Sequence, residues 1–286
     1  MTSTGRSRTS PTTVASQSQP NDGPPGHTLA AEAVDVGYTT VVVRGVSLTI
    51  DAGVCTALVG PNGSGKSTLL RSLAGTLRPR QGTVLVDGDD VRRLRTRELA
   101  RRIGVLHQGA AVPEAITVRQ LVEQGRYPHA GPLAMLRQRH DPIIDEALTA
   151  VDLTQHADRP VDELSGGERQ RAWLALTLAQ QAPILLLDEP TTFLDIGHQM
   201  ETLALIEQLR RERGLTVLAV LHDLNDAFAI AQHVVVMRSG RVVAAGPPDA
   251  VINTSLLRDV FGVHAHVGVH AETGVRYVVP LGPASA

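Results

Sequence analysis

The sequence predicts an α/β fold: a parallel-sheet core, an antiparallel β subdomain ahead of it, and a helical subdomain inserted within it. Three observations predict this. Hydrophobic residues make up 42% of the chain but aromatics only 2%, so the interior must be packed from Val, Leu, Ile and Ala, as suits strands buried between helices. Short apolar runs alternate with helical stretches from Ile184 onward, the pattern of parallel strands joined by helical crossovers. A glycine-rich loop, "GPNGSGKST", stands between an apolar strand and a helix. At 286 residues the chain can bury a full core of this kind.

Taken in order, residues 1–28 are rich in Ser, Thr, Pro, Gln and Gly. They hold too few large apolar groups to offset the entropy of ordering, and read as a disordered tail. Residues 29–263 read as one domain. "AAEAVDVGY" and "VVVRGVSLTIDAG" form an opening meander that runs into the buried strand "VCTALVG". "KSTLLRSLAG" reads as a helix closed by Gly75, and "GTVLVDG" as a strand with an Asp-Gly turn. The arginine-dense "VRRLRTRELARR" reads as the solvated face of a helix. Residues 109–165 are helical pieces broken by Pro and Gly, "TVRQLVEQG", "GRYPHAGP" and "DPIIDEALTAVDL" among them, and read as the inserted lobe. "ILLLD", "HQMETLALIEQLRRERG", "TVLAVLHD", "NDAFAIAQ" and "HVVVMRSGRVVAAG" resume the alternation. Residues 264–286 read as a short β extension, with His264 and His266 as exposed strand histidines and no thiol or carboxylate set to complete a metal site.

A net charge of -2 gives no general attraction for nucleic acid. The lone cysteine, Cys55, precludes an intrachain disulfide, fits a reducing compartment, and reads as a small core residue. No apolar run has the ~18 residues that a membrane-spanning helix needs.

Gly60, Pro61, Asn62, Gly63, Ser64, Gly65, Lys66, Ser67 and Thr68 fit the phosphate-loop pattern G-x-x-x-x-G-K-[ST]. Its glycines let backbone N–H groups turn toward phosphate oxygens, and the following helix N-terminus adds a favourable dipole. Lys66 is the only lysine among 27 Lys plus Arg residues. A compact ammonium fits a phosphate cradle that a planar guanidinium would crowd. Ser67 offers a hydroxyl to Mg²⁺. Downstream, "ILLLDEP" carries two carboxylates to the end of an apolar strand, where open α/β sheets bind ligands. Asp188 there would hold Mg²⁺ through its water shell, and Glu189 would orient and polarise the attacking water.

These features are common to many NTPases, kinases and GTPases included. "LSGGERQ", with its spacing ahead of "ILLLDEP", resembles the signature of the ABC-type ATPases. The resemblance runs from about Leu29 to Val263 and implies a bound ATP with Mg²⁺. It also implies that Ser165, Gly166, Gly167 and Glu168 complete the nucleotide site of a second copy rather than their own. Tyr38 falls where the family stacks an aromatic ring on adenine, and Gln108 where a glutamine reaches Mg²⁺ and water while its loop senses the partner protein. His222 matches the histidine that contacts the γ-phosphate, and Asp195 the loop between the two nucleotide sites. Trp173 is expected to pack the signature helix.

The interval between Lys66 and Ser165 is too short for the coiled coil of chromosome-organising relatives, and the chain has one cassette and no membrane helices. "GRYPH", "ELSGGERQRAWLALTLAQ" and "TTFLDIGHQ" look like ATPase subunits of ferric-siderophore, haem and cobalamin importers. That resemblance implies a homodimer at the cytoplasmic face of the membrane, two permease subunits, a substrate-binding protein engaged indirectly, and no nucleic acid. "GRYPH" is expected to be a stiff loop gripping a membrane subunit. The alternative is a soluble ABC ATPase serving as an assembly or regulatory scaffold.

Overall fold

A computed structural model describes residues 26–107, 116–130 and 141–284. Strands β1 (Leu29–Val36) and β2 (Val43–Ile50) pair antiparallel, and β3 (Cys55–Val59) then leaves them to found a second sheet. Helix α1 (Lys66–Leu73) follows, and β4 (Gln81–Val86) and β5 (Asp89–Asp90) return to the first sheet, whose order is β2-β1-β4-β5. After α2 (Thr96–Arg102), β6 (Ile103–Leu106) forms an edge of the second sheet.

The inserted lobe comprises α3 (Val118–Glu123), a 3₁₀ turn (Gln124–Arg126), α4 (Tyr127–Ala130) and α5 (Pro142–Ala150), packed against α6 (Gly166–Ala179). Then come β7 (Ile184–Asp188), α7 (Ile196–Arg213), β8 (Thr216–Val220), α8 (Leu224–Ile230), β9 (His233–Arg238) and β10 (Arg241–Gly246). The second sheet runs β10-β9-β3-β8-β7-β6, parallel throughout except for the β9–β10 hairpin. Short helices α9 (Pro248–Val251) and α10 (Thr254–Leu256) lead to the hairpin β11 (Val263–Val269) and β12 (Arg276–Pro283).

Successive residues of a strand face opposite sides, and this divides the core in two. Leu58, Leu186, Leu218 and Val235 pack with Leu69, Leu70 and Leu73 of α1 and with the antiparallel sheet. Ala57, Leu185, Val217 and Val234 face the opposite way, into a cluster with α6, α7 and α8. Strands β3, β7 and β8 are buried along their whole length, so they carry no polar alternation in the sequence. Trp173 packs partly buried against the second cluster, and Cys55 lies in its centre.

Three readings need correction. The tail boundary at residue 28 is too late: the His27 ring bonds Asp87 Oδ2 at 2.8 Å, the Thr28 N–H donates to Asp87 Oδ1 at 2.9 Å, and Thr216 Oγ1 donates to the His27 carbonyl at 2.7 Å. The "GRYPH" segment is helical turn rather than loop. Pro128 is the second residue of α4, where the missing N–H has no intrahelical partner to lose. Nor is the α2 arginine cluster simply solvated. Arg97 Nε and Arg101 Nε donate to the Pro128 carbonyl at 2.7 and 2.9 Å, and Arg97 Nη2 donates to that of His129 at 2.7 Å, tying α2 to the lobe. His264 and His266 are exposed on β11. Among the described residues no helix is long and apolar enough to cross a membrane.

Candidate functional site

The site lies at the C-terminal ends of β3 and β7. Leaving β3, the chain reaches Gly60 at φ +151°, where a Cβ would come within 2.1 Å of the Met237 carbonyl. Only glycine fits there. Gly63 and Gly65 also take positive φ, +75° and +102°, and Gly65 caps the start of α1. Lys66 lies folded into the loop, its Nζ donating to the Gly60 carbonyl at 2.7 Å and the Pro61 carbonyl at 3.1 Å. Burial pushes its ammonium below the usual lysine range, against the opposing pull of Glu189 and Asp188. Asn62 and Gly63 form the exposed rim, Ser67 and Thr68 lie in the first turn of α1, and the Ser64 hydroxyl is buried with no hydrogen-bond partner among the described residues.

Across from α1, Asp188 ends β7 almost wholly buried, and Ser67 Oγ donates to its Oδ1 at 3.0 Å. Burial raises the Asp188 carboxyl above the ordinary range, and the Ser67 hydrogen bond opposes that rise. Glu189 follows at φ +56°, a left-handed conformation that costs a non-glycine residue about 1–3 kcal/mol. Strain of this kind persists only where the surroundings impose it. Here the Glu189 N–H donates to the Val220 carbonyl at 3.2 Å, and Thr192 Oγ1 donates to Glu189 Oε2 at 3.1 Å. Glu189 Oε1 lies 2.5 Å from Nε2 of His222, just past the end of β8. The structure thus brings Lys66, Ser67, Asp188, Glu189 and His222 together. Gln108 lies outside the described residues.

Ser165 caps α6. Its Oγ accepts from the Glu168 N–H at 3.3 Å, while the Ser165 N–H donates to Glu168 Oε2 at 2.8 Å, a reciprocal capping box. These bonds hold the Glu168 carboxyl below its usual range. The two glycines differ in surroundings. A Cβ on Gly167 would strike the His198 ring at 2.4 Å, whereas one on Gly166 would meet none of the described residues within 4 Å. His198 is in turn held by Asp195, the cap of α7, through Oδ2 at 2.8 Å to its ring and Oδ1 at 2.9 Å to its N–H. Among the described residues the side chains of Ser165 and Glu168 each accept from the other's backbone N–H, Glu168 also approaches His156, and neither bonds the phosphate loop.

Tyr38, 56% exposed, is aimed by two arginines that sequence reasoning missed. Arg71 Nη1 donates to its hydroxyl at 2.5 Å, and Arg80 Nη2 to its carbonyl at 2.5 Å. Both lie more than thirty residues away in the chain, and no local pattern marks them.

The ABC transporter family model matches residues 43–192, which hold the phosphate loop, the signature and both carboxylates of β7. The chain belongs to the ABC transporter ATP-binding family. Like its family this ABC ATPase binds ATP and hydrolyses it. The ferric enterobactin transport ATP-binding protein of Escherichia coli (strain K12) is 44% identical over 255 residues, 89% of this chain and 94% of that one. Among solved structures, the inward-facing conformation of a metal-chelate type ABC transporter matches at TM-score 0.78 and 27% identity, covering 90% of this chain and 98% of that one. A dimeric post-hydrolysis ATP-binding cassette with ADP and Pi bound matches at TM-score 0.68 and 28% identity, covering 77% of this chain and 98% of that one.

Proposed function

We propose that this ABC ATPase is the energy-supplying subunit of an importer that carries an iron chelate, a ferric siderophore foremost, or a related cofactor such as haem or cobalamin. The cargo class is carried over from the ferric enterobactin relative and the metal-chelate transporter, which resemble this chain over nearly all its described length. Two copies enclose two ATP molecules. Each phosphate loop, with Lys66, holds one triphosphate, and Tyr38 stacks on its adenine. Ser165, Gly166, Gly167 and Glu168 of the other copy close over the γ-phosphate, with Asp195 between the sites. The open space beside Gly166 supports this, since none of the described residues of its own chain fills it.

Mg²⁺ fits the donors present: the Ser67 hydroxyl and Asp188 carboxylate are hard oxygen ligands 3.0 Å apart, beside the lysine that meets the phosphates. With Gln108 they would hold it, and it would neutralise charge on the β- and γ-phosphates. Glu189 then orients the attacking water and accepts its proton, and His222 fixes the Glu189 carboxylate and meets the γ-phosphate. Loss of that phosphate removes the contact joining the copies, so hydrolysis opens the pair and drives two permease subunits at the cytoplasmic face of the membrane. A substrate-binding protein delivers cargo to the permease and never touches this chain.

The observation that carries the reading is the Glu189–His222 contact of 2.5 Å at the sheet's end, beside Ser67 and Asp188. Its test is Glu189→Gln. Turnover should fall at least about a hundredfold, while the ATP-loaded protein remains dimeric and recovers polytopic subunits from detergent-solubilised membranes. Unchanged hydrolysis rejects the role of Glu189, and recovery of soluble partners alone rejects transport.

A further inference from the structure

One buried carboxylate outside this chemistry joins its three loops. Asp226, in the first turn of α8 and four residues past His222, is 4% exposed. Its Oδ1 accepts from Gln199 Nε2 at 2.7 Å, and its Oδ2 from Thr191 Oγ1 at 3.2 Å. Thr191 lies two residues beyond Glu189, and Gln199 four beyond Asp195. Each carboxylate oxygen therefore receives a donor from a different functional segment. Burial raises the Asp226 carboxyl above the ordinary range, and both donors oppose the rise.

We propose that Asp226 is a positioning residue for ATP hydrolysis, locking the segment after Glu189 and the start of α7 to the segment that carries His222. The inference rests on the roles given above to Glu189 and His222. Glu189 holds a strained conformation, at φ +56°, and relaxes unless its flanking chain is fixed. Thr191 is part of that flank, and its side chain ends on Asp226. A displacement of about 1 Å at reacting groups can cost about a hundredfold in rate. The same junction reaches Asp195 through the first turn of α7, so the loop between nucleotide sites and the water-orienting pair share one anchor.

Asparagine suits this site: its oxygen can accept from Gln199 while its amide donates to the Thr191 hydroxyl, which also has lone pairs. Leucine fills similar space but leaves both partners unpaired. The test measures steady-state ATPase activity and thermal unfolding for wild type, Asp226→Asn, Asp226→Leu, Gln199→Ala, Asp226→Leu/Gln199→Ala and Glu189→Gln. Asp226→Leu and Gln199→Ala should lower kcat by about ten- to a hundredfold, with KM for ATP within about twofold. Asp226→Asn should keep kcat within about threefold of wild type. The double variant should be no slower than Asp226→Leu, because both remove one junction. If Asp226→Leu fails to fold, Gln199→Ala, altered at a partly exposed helix position, carries the test. Wild-type kcat in folded Asp226→Leu or Gln199→Ala, or losses that multiply in the double variant, overturns the junction. An active Glu189→Gln removes the reading beneath it, whereas an inactive one beside a fully active Asp226→Leu rejects the junction alone.

Discussion

Cys55 shows how burial alone sets a residue's chemistry. It sits on β3 between β8 and β9, fully buried, and its thiol is pushed up from 9.0 to about 12, first by desolvation and then by the charge of Glu207. The folded chain therefore keeps a proton that the unfolded chain releases near pH 9. A folded pKa raised above the unfolded one means stability is fully present below pH 9 and is lost as pH rises toward 12. The slope approaches about 1.4 kcal/mol per pH unit. Urea unfolding at pH 8 and pH 10 should show wild type losing about 1 kcal/mol more across that interval than Cys55→Ala. Equal losses would mean that the thiol is not shielded. In the native protein at pH 8 a thiol-specific reagent should leave Cys55 unlabelled, and label it once urea unfolds the chain.

At the scale of elements, the signature helix separates two residues that look alike in the sequence. A Cβ at Gly167 would force the His198 ring of its own chain to move, whereas one at Gly166 would meet none of the described residues. Gly167→Ala should lower thermal stability by about 1–3 kcal/mol, as forced overpacking does. Gly166→Ala should leave the isolated subunit within about 0.5 kcal/mol of wild type yet lower ATP hydrolysis at least about tenfold, because the added methyl stands where the proposed pairing brings the partner's γ-phosphate. Calorimetry with ATPase assays on both variants checks the contrast, and a fully active Gly166→Ala would show that this face meets no ligand. The phosphate loop, the β7 carboxylates and the signature helix were legible in the sequence because each is written in contiguous residues through local backbone geometry. Links made by packing were not. The pairing of Arg71 with Tyr38, the grip of Arg97 and Arg101 on Pro128, and the Asp226 junction join residues far apart in the chain, and a single side-chain bond leaves no periodic trace. The "GRYPH" turn was misread because glycine and proline signal a break, whereas Pro128 sits where a helix tolerates it.

The whole molecule presents an apolar strip beside its site that none of its described residues covers. Phe193 is 92% exposed and Ile196 80%, and Met200 lies one turn further along α7. Phe193 also holds φ +67°, a conformation that a bulky side chain adopts only under constraint. The strip adjoins Asp195, which the proposed function sets between two nucleotide sites, so a second copy of this chain is the partner that would cover it. Burying one phenylalanine stabilises an association by about 1.5–3 kcal/mol, or roughly ten- to a hundredfold in affinity. Asparagine tolerates the left-handed conformation better than phenylalanine, so Phe193→Asn should leave the monomer as stable as wild type while weakening the pair. Sedimentation velocity of the hydrolysis-blocked Glu189→Gln protein provides the measurement. With Mg·ATP it should be dimeric and with ADP monomeric, and adding Phe193→Asn should raise the ATP-bound dimer's dissociation constant at least about tenfold. An unchanged constant would place Phe193 outside the dimer contact and leave the strip facing the membrane subunits instead, where the same substitution would weaken recovery of those subunits and spare self-association.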